Sequence, residues 1–355
     1  MSRKIPAMLS LALTASLALT ACSAGSGTSA DATGAAGSTT AASAAQTAGT
    51  VTIEANNGTV EVTTPVKAAA VLDNRSFEVL ADWGVPVVAV PKGLIPSTVT
   101  AYDVDDVVDV GNHREPDLEA LVAAKPDLIV SGQRFSQYDE DIAALTEGTP
   151  LVDLEPRDGE PLDAELERHT TALGEIFGKQ DEAAALVADF NKALDRAKAA
   201  YDGTSTVMAV NVSGGEIGYV APTVGRTYGP VFDLLGLKPA LEVEGASSNH
   251  EGDDVSVEAI AESNPAWILV LDRDGAISAD KADYKPAKDV LESNTALSDV
   301  TALRKGQVVY APADTYTNES IITYTEILND IADAFEGASG STDGASAPAT
   351  ASEKA

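Results

Sequence analysis

The chain has 355 residues, room for two ordinary domains, with 55 acidic against 23 basic side chains and a formal net charge of −32. Neutralising a phosphate backbone needs clustered Lys and Arg, so this balance argues against a nucleic-acid partner. It leaves room for a small anionic ligand, because salt screens the acidic exterior within about 8 Å and a few arginines in a cleft can dominate locally.

Arg3 and Lys4 precede an apolar run over residues 5–19, too short to span a bilayer comfortably. The run ends in Leu19-Thr20-Ala21-Cys22, and Cys22 is the only cysteine, so no internal disulfide is possible. This end resembles a lipobox, the site at which bacterial lipoproteins are cleaved and lipidated on the cysteine. The alternative is an ordinary signal peptide that happens to contain a Cys. Residues 1–21 are therefore expected to be a signal peptide. Residues 22–50, rich in Ala, Ser, Gly and Thr, bury too little to offset ordering entropy and are expected to form a flexible tether. A similar disordered tail is expected over 337–355.

Residues 51–63 alternate around Asn56-Asn57-Gly58, a hairpin signal. Short apolar runs follow at 67–72, 85–90, 107–110, 128–130 and 151–154, alternating with helical segments such as the one carrying Phe77, Leu80 and Trp83 and closed by Gly84. A stripe at Leu166, Thr170, Leu173 and Phe177 predicts one helix. A longer stripe, Ala183, Leu186, Val187, Phe190, Leu194, Ala197 and Tyr201, predicts a second, with Asp181 as N-cap and Gly203 as its stop. The strand pattern restarts at 207–212, then a helix around 231–237, strands at 267–271 and 308–310, and a last helix over 319–335 capped by Asn318. Strands alternating with helices indicate βαβ units and mainly parallel sheets.

Residues 112–134 and 249–273 resemble each other. Each runs Asn-His, a short acidic stretch, a helix with a Glu seven residues before a Pro, and an apolar strand ending near an Arg. The expected fold is α/β: two three-layer αβα lobes, 51–178 and 204–336, bridged by one long helix at 179–203. Ligands of open α/β sheets bind beyond the carboxyl ends of strands. That rule selects Arg75, Arg134, Arg226, Arg273 and Tyr316, brought to a shared cleft by two facing lobes.

The lipobox, the tether, the two lobes on one helix and the paired LEALVAAKPDLIVSG and VEAIAESNPAWILVL segments together resemble substrate-binding lipoproteins of ABC importers. The type is the one with a single rigid helical connector, which serves ferric siderophores, haem and cobalamin. VGRTYGPVFDLLG, His250, Asp272-Arg273 and Tyr316 are similar to the branch that binds ferric catecholates. The resemblance implies that the arginines contact anionic catecholates, and that His250 and Tyr316 complete the iron shell where a siderophore leaves two positions open. It implies that Glu119 and Glu258, one per lobe, dock on permease arginines. Ferric iron suits phenolate oxygen and accepts imidazole, and arginine presents a charged fork to neighbouring oxygens.

Two departures stand out. The family often has Arg directly after the Ser-Gly of the first lobe, whereas Gln133 holds that place and Arg134 follows. Along an extended segment a one-residue shift turns a side chain away. Arg226 is likewise one position early relative to its Gly. His113 carries no such family role and is read as a surface or cleft-edge residue; His169 is read as structural. Tyr138 and Tyr228 are weaker cleft candidates, and the Asp-rich stretches lack EF-hand spacing.

The expectation is a monomeric, lipid-anchored binding protein on the outer face of the cytoplasmic membrane. It would have no intrinsic cofactor, and would carry ferric iron as a siderophore complex to an ABC permease. Alternatives are the same fold holding haem, a hydroxamate siderophore or a corrinoid, and an adhesin without a small ligand. An enzyme has no supporting motif: there is no nucleophile elbow, P-loop or Cys-His arrangement.

Overall fold

A computed structural model describes residues 48–342. The signal segment, Cys22, most of the tether and residues 343–355 lie outside the described residues. Strands β1 (Gly49–Ala55) and β2 (Gly58–Thr64) form an antiparallel hairpin in which Ala55 faces Gly58 across the Asn56-Asn57 turn. Asn56 and Asn57 also pin the hairpin to the first lobe, through bonds of 2.8 Å to the Glu155 carbonyl and 2.9 Å to the Leu151 carbonyl.

The first lobe holds β3 (Ala69–Val71), β4 (Val87–Val90), β5 (Val108–Asp109), β8 (Leu128–Ser131) and β9 (Leu151–Asp153), all parallel in the order β5-β4-β3-β8-β9. A small ribbon, β6 (Gly111–Asn112) with β7 (Glu115–Pro116), stands beside them. Helices α1 (Phe77–Asp82), α2 (Leu118–Ala123) and α3 (Asp139–Leu145) complete it. The second lobe holds β10 (Thr206–Ser213), β11 (Glu216–Val220), β12 (Lys238–Pro239), β13 (Trp267–Asp272) and β14 (Val308–Tyr310), in the order β11-β10-β13-β14 with β12 also on β10. Only the β10–β11 pair is antiparallel, a tight turn at Gly214-Gly215 joining them. The central strands β3, β8 and β13 are almost wholly buried, as parallel strands covered on both faces must be.

Between the sheets run α4 (Leu162–Phe177) and α5 (Gln180–Ala200), separated by Gly178 in the left-handed conformation. The bridging helix, expected at 179–203, is α4. It lies against the β1–β2 hairpin, reaches Asp73 and Ser76 of the first lobe through His169, and touches α6 (Gly229–Leu235) of the second. Helix α5 instead packs along α12 (Ile321–Thr342), as its Phe190, Leu194 and Ala197 stripe requires. The longest apolar stripe therefore marks a packing surface inside the second lobe, and length alone misassigned the bridge.

Remaining helices of the second lobe are α7 (Val257–Ser263), α8 (Arg273–Ile277), α9 (Ala287–Ser293), α10 (Thr301–Lys305) and α11 (Thr315–Asn318). Two further boundaries differ from expectation. Ser320, not Asn318, caps α12, its Oγ accepting from the Thr323 amide at 3.2 Å. Helix α12 also passes through Gly337 to Thr342, where a disordered tail was expected; Ala338 packs on the core and Ser339 Oγ bonds the Phe335 carbonyl at 3.0 Å. Tyr228, a cleft candidate by sequence, is fully buried in the core.

A candidate ligand site between the lobes

Tyr316 lies in α11, just past the end of β14, and is 7% exposed. The Arg226 guanidinium carbon stacks 4.2 Å from its ring centroid and that of Arg273 lies 5.1 Å away. Arg273 begins α8 at the carboxyl end of β13, where Asp272 caps the helix through the Gly275 amide at 2.8 Å. Its Nη1 bonds Ser213 Oγ at 2.9 Å, Asp274 stands 3.6 Å off, and its buried Nε has no protein partner. Burial opposes ionisation of the Tyr316 phenol, yet Arg273, Arg226 and Arg134, all directed at it, hold it below the usual tyrosine range.

Arg134 reaches this phenol from the first lobe, against the expectation from alternation. Gly132 is extended and closely approached, since a Cβ there would sit 2.9 Å from Asp73 Oδ1. The next residue, Gln133, takes φ 53° and opens a short 3₁₀ helix over Gln133–Tyr138. The two-residue alternation of a strand is lost there, so Gln133 and Arg134 both face the other lobe.

Glu319 is the residue that sequence reasoning missed. It sits at φ 53° between α11 and α12, 3% exposed. Arg226 grips it with Nε at 3.2 Å and Nη2 at 3.0 Å, Thr227 Oγ1 donates at 2.6 Å and Gln133 Nε2 at 3.2 Å, while Arg75 lies 3.8 Å away. Burial opposes its charge; Arg226, Arg75 and the bonds from Arg226 and Thr227 prevail and hold its pKa at about 2. Arg226 and Arg75 are thus tied to an internal carboxylate, although Arg75 Nε and Nη1 remain buried without partners.

The segment around Glu319 also fastens the lobes together. Asn74 Nδ2 bonds the Thr317 carbonyl at 2.6 Å, Asn318 Nδ2 and Ser320 Oγ bond Glu78 at 2.9 and 3.2 Å, and Thr98 bonds Asp314. On the side of the α4 crossover a cavity of about 1240 Å³ opens, bordered by Arg75, Gln133, Arg226, Glu319, Thr223 and Glu155. Tyr316, Arg134, Arg273 and His250 are not part of its wall. Glu319 borders that cavity, and the Arg226 that grips it also stacks on the Tyr316 ring.

The histidines differ. His250 is 43% exposed in its side chain and stands 3.8 Å from Glu251. Burial and then Arg273 keep it below the usual imidazole range, with Glu251 acting in the opposite direction. His113 bonds Arg134 at 3.1 Å. His169 is buried in the first-lobe seam, 2.8 Å from Asp73 and 3.2 Å from Ser76. Glu119 and Glu258 are both exposed, each in the first turn of its helix, behind the caps Asp117 and Ser256. The Asp-rich stretches cap local turns: Asp109 accepts the Lys92 and Gly111 amides, and Asp253 accepts Ser247. Among the described residues no group of three or more His, Cys, Asp or Glu is placed to hold a metal ion. No helix among them is long and apolar enough to cross a membrane.

Two α/β lobes joined by a helix, with cationic loops at the strand ends, define a solute-binding protein of the two-lobed, helix-bridged class. The chain belongs to the periplasmic binding protein family, whose profile matches residues 70–315. It is 29% identical over 290 residues to the ferric-anguibactin-binding protein of Vibrio anguillarum, covering 79% of this chain and 86% of that one. It is 26% identical over 285 residues to the petrobactin-binding protein of Bacillus subtilis, covering 79% and 86%. The solved structure of the latter superposes with a TM-score of 0.70, over 81% of this chain and 99% of that one. A TroA-like periplasmic binding protein from Xylanimonas cellulosilytica superposes at 0.68 with 26% identity, over 81% and 99%.

Proposed function

We propose that the chain is an extracytoplasmic solute-binding protein that captures a ferric siderophore, of catecholate type, and passes it to an ABC permease for iron uptake. The observation that carries this is the convergence of Arg134 from one lobe and Arg226 and Arg273 from the other on the shielded Tyr316 phenol. Guanidiniums offer forked donors to catecholate oxygens, and a phenol beside them gives up its proton to ferric iron more easily than an isolated one, supplying a hard oxygen ligand. The relatives' binding of ferric anguibactin and petrobactin supports the same reading. Binding rather than catalysis is the role.

In this reading Arg273, Arg134, Arg226 and Arg75 contact the anionic complex, while Tyr316 and His250 fill iron positions that the siderophore leaves open. For the phenol to meet iron, the guanidiniums covering it swing outward onto the ligand, and His250, the more exposed of the two, turns inward. The cavity beside Glu319 takes the remainder of the ligand. Cys22 carries the lipid anchor, the lobes divide at α4, and the exposed Glu119 and Glu258 meet the permease. The protein works as a monomer.

The test is a titration of the purified protein, followed by Trp83 and Trp267 fluorescence, with a ferric catecholate, a ferric hydroxamate and haem in parallel. Tight binding of the catecholate alone is expected. Tight haem or hydroxamate binding without catecholate affinity moves the ligand class, and binding to none of them overturns the reading.

A further inference from the structure

The geometry around Glu319 holds it as a carboxylate. Its Oε1 accepts from Arg226 Nε at 3.2 Å and Thr227 Oγ1 at 2.6 Å, and its Oε2 from Arg226 Nη2 at 3.0 Å and Gln133 Nε2 at 3.2 Å. Each oxygen thus receives two donors, and an ionised carboxylate has lone-pair sites for about four, so no position is left for a proton. The same saturation leaves nothing with which to meet iron or a ligand donor. What Glu319 supplies is a fixed negative charge, 3% exposed and held at φ 53°, a conformation that a non-glycine residue keeps only where its surroundings impose it.

That charge falls on the cations of the site. Arg226 gives it both Nε and Nη2, and Arg75 stands 3.8 Å from Oε2 with its own Nε and Nη1 free of protein partners. Arg273 has a carboxylate of its own, Asp274, at 3.6 Å. Arg75, Arg134, Arg226 and Arg273, less these two carboxylates, leave two positive charges. A Tyr316 phenolate on iron cancels one of them, and a complex carrying a single negative charge cancels the other. Ferric iron with two catecholates carries that single charge; with three it carries three and overshoots. The cavity beside Glu319 offers no surplus cation to absorb them, since acidic side chains outnumber basic ones by six to four along its wall.

We propose that Glu319 is a specificity-determining residue: its carboxylate is a built-in counter-charge that matches the site to ferric complexes of a single negative charge and turns away more highly charged ones. This role rests on the proposed function, because only a ferric catecholate bound between the lobes meets that charge.

The test compares two tetradentate ferric bis-catecholamides that are identical except for one carboxylate on the linker. Their iron shells and open positions are the same, so the ratio of their affinities reads charge and cancels any general loosening of the site. The unaltered protein is expected to bind the plain-linker complex more tightly. Glu319→Gln, which keeps the size and one accepting oxygen, is expected to move the ratio on the order of tenfold toward the carboxylate-bearing complex, the size of one Coulomb interaction over about 10 Å in a partly screened site. Glu319→Asp, which disturbs the same bonds but keeps the charge, is expected to hold the original preference. A ratio unchanged in Glu319→Gln overturns the proposal while the siderophore reading stands, and so does an equal shift in both variants, which would reflect packing. Should Glu319→Gln fail to fold, the unaltered protein still decides: equal or tighter binding of the carboxylate-bearing complex overturns the proposal. Binding of neither complex to the unaltered protein overturns the siderophore reading, and this role with it.

Discussion

The two lobes carry the same short motif and use it differently. In each, an Asn turns the chain through its side-chain oxygen, at Asn112 and at Asn249, and the following histidine's carbonyl is anchored from outside, by Tyr138 on His113 and by Asn211 on His250. In each, an apolar strand ends near an arginine that faces Tyr316. The first-lobe imidazole is committed to its arginine, whereas that of the second lobe is 43% exposed and makes no side-chain hydrogen bond. The likeness places both pairs at the cleft. The difference separates an imidazole spent on its neighbouring arginine from one left open to solvent.

Breaking the partnership between lobes should cost most. Glu319 joins Gln133 and Arg75 of the first lobe to Arg226 and Thr227 of the second. Glu319→Ala leaves buried guanidinium charge unpaired, which costs about 3–5 kcal/mol, and denaturant unfolding of the free protein would read it. A loss under 1 kcal/mol would mean that the lobes are joined elsewhere. Next in size is Arg273→Ala, expected to weaken an anionic ferric complex by about 1.5–3 kcal/mol as one charge-assisted bond is lost; equal affinity by calorimetry would place this arginine outside the site.

Acid sharpens the same comparison. The folded pKa of Glu319, about 2, lies below the ordinary 4.5, so its contribution is complete above that range and disappears as pH falls from about 4.5 towards 2. Asp139, on the first lobe, behaves oppositely. Burial, with Asp153 and Glu155 nearby, raises it to about 6 against the bond from Ser131. Its contribution is therefore largest below pH 3.8, its ordinary value, and is lost as pH rises through about 6. The acid limb of the stability curve should flatten in Glu319→Gln and the limb near pH 6 in Asp139→Asn. Smallest are the caps: Asp117→Ala and Ser256→Ala should each cost about 1 kcal/mol in thermal unfolding, equally for α2 and α7. Charge reversal at Glu119 or Glu258 should impair uptake by cells and leave ligand affinity intact.

The lobes were readable because hydrophobic period is a local property: the strand runs and the duplicated Pro-Asp/Pro-Ala segments carry it openly. The strand-end rule picked out Arg75, Arg134 and Arg273, which lie just past β3, β8 and β13. What escaped depended on backbone conformation without a periodic signal. The positive φ of Gln133 redirects Arg134, and that of Glu319 folds one carboxylate, among 55 acidic residues, into the cleft. The bridge was misassigned because length was the guide: α5 carries the longer stripe and packs mainly along α12, whereas the shorter α4 reaches both lobes with buried faces that mix Glu165, His169 and Thr170 with Leu166, Leu173 and Phe177.

The most direct measurement is an iron-edge anomalous difference map from crystals grown with a ferric catecholate that leaves two coordination positions open. The account predicts a single iron peak between the lobes, bonded to the Tyr316 oxygen with His250 turned towards it. Iron bound in the cavity beyond Glu319, away from the phenol, would contradict it.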